Sequence, residues 1–172
     1  MSTKSNSFTA YGVEYRTRQF TAIKGLEIIS KDSAITPVDI LENTDVFSDG
    51  EWFSLSEPFN INEYVNDATS VLPPMVVMNG VVALVREYNF GFISGWTGVR
   101  VPKRLTESGS SVSSNHVSPM VSQIIQDGAA TMRELEEYYS LQDAFKLFDV
   151  MVAKGLSEAL ANEAAAKKVK RR

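Results

Sequence analysis

The sequence predicts an α+β fold, predominantly helical. A small strand-and-hairpin element packs on a central apolar helix, and a C-terminal helical extension follows. Three observations carry this expectation. Residues 71–96, VLPPMVVMNGVVALVREYNFGFISGW, are the most apolar long run in the chain. Residues 11–20 and 46–55 are short stretches with strand character. Beyond a serine-rich segment, residues 119–168 carry helical caps and apolar residues at three- and four-residue steps.

Composition narrows the function classes. At 172 residues the chain can form one domain with an appendage, or two small ones, and is long enough to bury a real core. An apolar share of 44% and a charged share of 22% are those of a globular protein. The absence of cysteine excludes disulfides, a cysteine nucleophile and a cysteine-ligated zinc. A net charge of −4 argues against nucleic-acid binding by bulk charge. The start MSTKSNSFTAYG lacks the apolar stretch of a signal peptide, so the cytoplasm is the expected location.

Taken in order, residues 1–10 are polar and are expected to be a flexible N-terminus. In YGVEYRTRQF, Tyr11, Val13 and Tyr15 alternate with Glu14, Arg16 and Arg18, the pattern of a half-exposed strand. Thr21 can cap a short helix with Ala22, Ile23, Leu26 and Ile29 on one face, and Pro37 opens another helical turn. Asp49-Gly50 supplies the positive-φ residues of a tight hairpin turn, with Phe47 and either Trp52 or Phe53 flanking it. Residues 56–72 read as a polar helix or loop. Pro73-Pro74 then starts the central helix, where a missing N–H costs nothing. Its uncharged run of about 15 residues is shorter than the roughly 20 that a membrane span needs. Apolar on most sides, it is expected to be buried by its neighbours.

Residues 11–98 are thus expected to form the core domain, and 99–118 a linker, since Ser108 to Ser118 includes six serines. In the extension, 119–168, Ser118-Pro119 opens a helix that Gly128 stops, and Thr131 with Glu134 has capping-box spacing. Ser140 caps a long amphipathic helix, and residues 169–172 are a basic tail. Its stripe includes Leu141, Phe145, Phe148, Met151, Val152 and Leu156, the candidate partner-binding residues. Met-rich and aromatic faces suit adaptable partner surfaces. On this expectation, polar replacement of Phe145 and Phe148 removes partner binding while the core domain still folds.

No catalytic, cofactor or metal site is expected. His116, the only histidine, lies in the serine-rich segment, away from any orienting acid. Asp45, Asp49 and Glu51 start like a calcium loop, but Phe47 and Ser56 stand where ligands are required. Gly91, Gly95 and Gly98 lack the Gly-Lys-Ser/Thr of a phosphate loop. Glu134, Glu136 and Glu137 would repel nucleic acid from a helix-turn-helix at 119–139.

Three segments together resemble the tail assembly chaperones of long-tailed bacteriophages. In YRTRQFTAIKGLEIIS (15–30), a strand ends in Gln-aromatic and Lys-Gly-Leu opens a helix. VFSDGEWF (46–53) supplies a short hairpin. VVALVREYNFGFI (81–93) is similar to the family's helix ending, here Glu87, Asn89, Phe90, Gly91 and Phe92. The likeness covers roughly residues 11–98. It departs around Lys31–Thr36, where a longer apolar helix is expected.

The resemblance implies a non-enzymatic role in the host cell cytoplasm: binding the tape-measure protein and helping recruit the major tail-tube protein, with no membrane, and with self-association compatible with the role. The competing expectation is a structural minor virion protein, such as a head–tail connector or minor tail component. Members of the family are often made in two lengths by a programmed ribosomal frameshift. We predict that the codons of Ala166-Lys167-Lys168 form a slippery heptamer followed by an overlapping frame. Sequencing the gene checks this, and codons that cannot slip would remove the frameshift from the account.

Overall fold

A computed structural model of the chain describes residues 3–106 and 117–169. Strands β1 (Ser5–Ala10), β2 (Val13–Arg18), β3 (Thr44–Ser48) and β4 (Glu51–Ser54) form one antiparallel sheet in that spatial order. Helices α1 (Ala22–Ile29) and α2 (Pro37–Leu41) lie between β2 and β3 in sequence. After β4 come α3 (Pro58–Tyr64), α4 (Pro74–Phe90) and a 3-10 turn over Gly91–Gly95. The chain continues with α5 (Lys103–Thr106), α6 (Pro119–Gln126), α7 (Met132–Glu137) and α8 (Leu141–Val169). The fold is α+β and mainly helical, as expected.

The expected flexible N-terminus is corrected over Ser5–Ala10, which is a full edge strand. Tyr11 and Gly12, at φ 54° and 79°, form a two-residue turn whose twist suits a hairpin. Phe8 stacks on Tyr15 across the pair, with ring centroids 5.4 Å apart. A single large apolar residue in SNSFTA gave the sequence reading too little alternation to detect. The second hairpin turns at Asp49 and Gly50, φ 52° and 87°, as expected, and Phe47 meets Trp52 across it at 5.1 Å.

One face of the sheet, with Tyr15, Val46 and Phe53, packs on α4 in a first apolar cluster. α4 contributes Val77, Val81, Val85 and Asn89, a strict four-residue stripe. Its expected burial on most sides is corrected: Met75, Val76 and Leu84 are 61%, 48% and 50% exposed. Within the Lys31–Thr36 stretch, the Lys31 ammonium meets Asp39 at 2.7 Å, and Thr36 forms a capping box with the same carboxylate. These bonds hold Asp39 well below the usual carboxylate range, at about 2.

A second cluster gathers Ala22 from α1, Val121 and Ile124 from α6, Leu135 from α7 and Ala144 from α8. α1 serves both clusters, because Ile28 belongs to the first while Ala22, Ile23 and Leu26 face the second. The expected separation of a core domain 11–98 from an extension 119–168 therefore does not describe the packing. Of the expected linker 99–118, residues 107–116 lie outside the described residues, and so does the basic tail from Lys170 onwards. The capping box of Thr131 and Glu134 and the stop at Gly128, φ 70°, are as expected.

The two clusters meet at Phe20. Its N–H donates to Asn89 Oδ1 at 2.8 Å, and its carbonyl accepts from the Leu141 N–H at 3.3 Å. Asn89, 5% exposed, also donates from Nδ2 to the Val85 carbonyl at 3.0 Å. A buried N–H stripped of its acceptor costs about 1–3 kcal/mol. We predict that Asn89→Leu lowers the free energy of unfolding by that amount in urea titration. A variant as stable as the parent would mean that Phe20 is not held by Asn89.

Candidate functional site

α8 begins with reciprocal capping. Ser140 Oγ accepts from the Asp143 N–H at 3.2 Å and donates to Asp143 Oδ2 at 2.8 Å. The Ala22 N–H donates to the Tyr139 carbonyl at 2.8 Å, so the start of α8 is pinned to the start of α1. Gly25 lets the two helices close: a Cβ there would lie 2.9 Å from the Leu141 Cβ. Leu141 is accordingly 2% exposed.

The remaining candidate residues on the stripe are largely covered as well. Phe145 sits edge-on to Phe92 at 5.4 Å and to Trp96 at 5.6 Å, closing a three-ring cluster at the end of α4. Phe148 and Met151 pack on the second cluster. Val152 and Leu156 are half-buried. Met151 and Val152 line a shallow cavity of about 350 Å³ whose rim carries Asp127, Lys154 and Glu158. The expectation that this stripe is free for a partner is thus corrected for Leu141, Phe145, Phe148 and Met151. Their helical spacing is that of a core face, filled by α1, α6 and the aromatic end of α4. Towards its end α8 leaves the body of the protein. Val150 and Leu160 are 68% and 41% exposed, while Arg104 holds Glu163 at 3.2 Å and lowers its carboxyl from the ordinary value.

The open apolar surface lies elsewhere. Ile28, Ile29, Ile35, Ile40, Ala83 and Phe90 line a groove of about 550 Å³ between α1, α2 and α4, with Arg86 and Glu87 on its rim. Ile29 and Ile35 are each 42% exposed. Leu84, Val76 and Met75 of α4 are also exposed, outside the lining of this groove. Sequence reasoning missed this surface because it expected α4 to be wrapped. A detectable signal was there: small Ala83 shares the outer side with charged Arg86 and Glu87, a poor surface for internal packing.

Of the remaining candidates, His116 lies outside the described residues. Asp45 pairs with Arg16 at 2.8 Å, which itself lies over the Trp52 ring. Among the described residues no three metal-binding side chains gather, and no helix is long and apolar enough to cross a membrane. Burial pushes the Tyr15 phenol up to about 12, and its hydroxyl meets no hydrogen-bond partner among the described residues.

No protein-family model, curated protein or solved structure matches the chain.

Each edge-to-face aromatic pair contributes about 0.5–1.5 kcal/mol beyond area burial. Phe145→Leu, which loses two of them, is predicted to lower stability by about 1–3 kcal/mol. Leu160→Ser, at the projecting end, should stay within about 0.5 kcal/mol of the parent. Thermal unfolding compares the two, and equal losses would mean that Phe145 is not part of the packed interior.

Proposed function

We propose that the chain is a non-enzymatic bacteriophage tail assembly chaperone. It binds the tape-measure protein in the host cytoplasm and helps recruit tail-tube subunits. The observation that carries this reading is the meeting of the three segments that resemble the family. Tyr15 of the first is registered against Val46 of the second. Phe20 of the first is hydrogen-bonded to Asn89 of the third and stacks on Phe90 at 5.8 Å. Short motifs without catalytic groups, each holding the others in place, suit a shared scaffold.

The tape-measure protein is expected to be long, helical and amphipathic, so its apolar stripe needs cover before the tube closes around it. The groove lined by Ile28, Ile29, Ile35 and Ile40 offers such cover. A helix laid into a groove is held by anchors one turn apart. Each Å² of apolar surface it buries contributes about 25 cal/mol. The stripe of α8, already filled by its own neighbours, is left as the framework behind that surface.

Co-expression with the tape-measure protein of the same phage tests the reading. Ile29→Glu combined with Ile35→Glu should weaken co-purification at least about tenfold, since losing one buried aliphatic contact already reaches about 1.4 kcal/mol. The thermal midpoint should be kept, because both side chains are exposed. Full retention of the partner by this folded variant would move the binding surface elsewhere. Stoichiometric presence of the chain in purified virions would favour a structural tail component instead.

A further inference from the structure

The two edges of the sheet are treated differently. β4 is four residues long, carries Glu51, and has the outward carbonyl of Ser54 capped by the Asn60 amide of α3 at 2.8 Å. β1 has none of these devices. Its six residues SNSFTA contain no charge and no proline, and its register with β2 runs without a bulge. Such an edge is a template for another strand.

The geometry identifies which groups are on offer. The Lys4 carbonyl accepts from the Gln19 N–H at 2.9 Å, so Lys4 and Gln19 form a hydrogen-bonded pair. Pairs alternate along an antiparallel ladder, which assigns the bonds to β2 to Asn6, Phe8 and Ala10. Ser5, Ser7 and Thr9 therefore direct their N–H and C=O groups away from β2. Their side chains lie on the sheet face opposite Tyr15, opposite Arg18, Arg16 and Glu14 respectively.

We propose that β1 pairs antiparallel with β1 of a second copy, about a twofold axis at Ser7, forming one continuous eight-stranded sheet. In this register Ser5 of each copy faces Thr9 of the other. Arg18, across β1 from Ser5, then shares a row with the Glu14 that lies behind the opposing Thr9. Three strand spacings of about 4.8 Å separate their backbones, and only small Ser5 and Thr9 side chains lie between. Both Arg18 and Glu14 are exposed and belong to no ion pair among the described residues. The twofold thus places two unpaired opposite charges together, twice. A second copy satisfies both the open backbone groups and these charges.

Sedimentation velocity across a dilution series of the full chain tests this. The parent should be a dimer that dissociates on dilution. Ser7→Pro should be monomeric with an unchanged far-UV spectrum, because the lost N–H is not used within the hairpin. Arg18→Glu and Glu14→Arg should each weaken the dimer several-fold, and the double swap should restore it. A parent that is monomeric at every concentration overturns the proposal, and so does a dimer unaffected by Ser7→Pro. Amide-exchange protection of Ser7 and Thr9 that appears only on adding the tape-measure protein would also overturn it, assigning the edge to that partner.

Discussion

Much of this structure depends on the backbone of one residue. Phe20 leaves β2 and enters α1, and its peptide groups face two ways. The N–H is tied to the Asn89 side chain and the carbonyl to the Leu141 N–H. The first bond fastens the sheet to α4, and the second fastens α8 to both. Neither amide of this junction can be solvated in the folded state, so each partner must be in place for the other to be worth forming. The aromatic ring repeats the link by stacking on Phe90. A sheet with one helix and a bundle of helices become one body there.

That junction decides which surfaces are free. Once α8 is pinned beside α1, the closeness permitted at Gly25 seals Leu141, and Phe145 slots between Phe92 and Trp96. The amphipathic stripe that would make α8 a free binding helix is used up in holding the body together. α4 keeps the opposite bargain: Val77, Val81 and Val85 satisfy the interior, and its outer apolar side is left to solvent. An exposed apolar groove beside such a helix is surface that a partner could cover. Under the proposed function, an amphipathic helix from a tape-measure protein fills it.

Local chemistry was legible in the sequence where a few neighbouring residues decide the outcome. Asp49-Gly50 specified its turn, Thr131 with Glu134 specified a capping box, Gly128 specified a stop, and the starts of α2, α4 and α6 followed from Pro37, Pro73-Pro74 and Ser118-Pro119. What could not be read depends on contacts distant in the chain. β1 is stabilised by pairing with β2 rather than by its own polar residues. The role of Asn89 rests on a residue 69 positions away. The cover over Phe145 and Phe148 comes from helices on both sides of the serine-rich segment, so a stripe that is core could be taken for a free face. The candidate groove was hidden for the converse reason, since apolar periodicity does not tell which side of a helix remains uncovered.

Native-state hydrogen exchange measures most directly whether the junction makes one body. Amides of Val81 and Val85 in α4 and of Ala144 and Leu147 in α8 should open with the same free energy, equal to that of global unfolding. Exchange in α6 to α8 through a separate opening, several kcal/mol easier while α4 stays protected, would contradict the account and restore an independent helical extension.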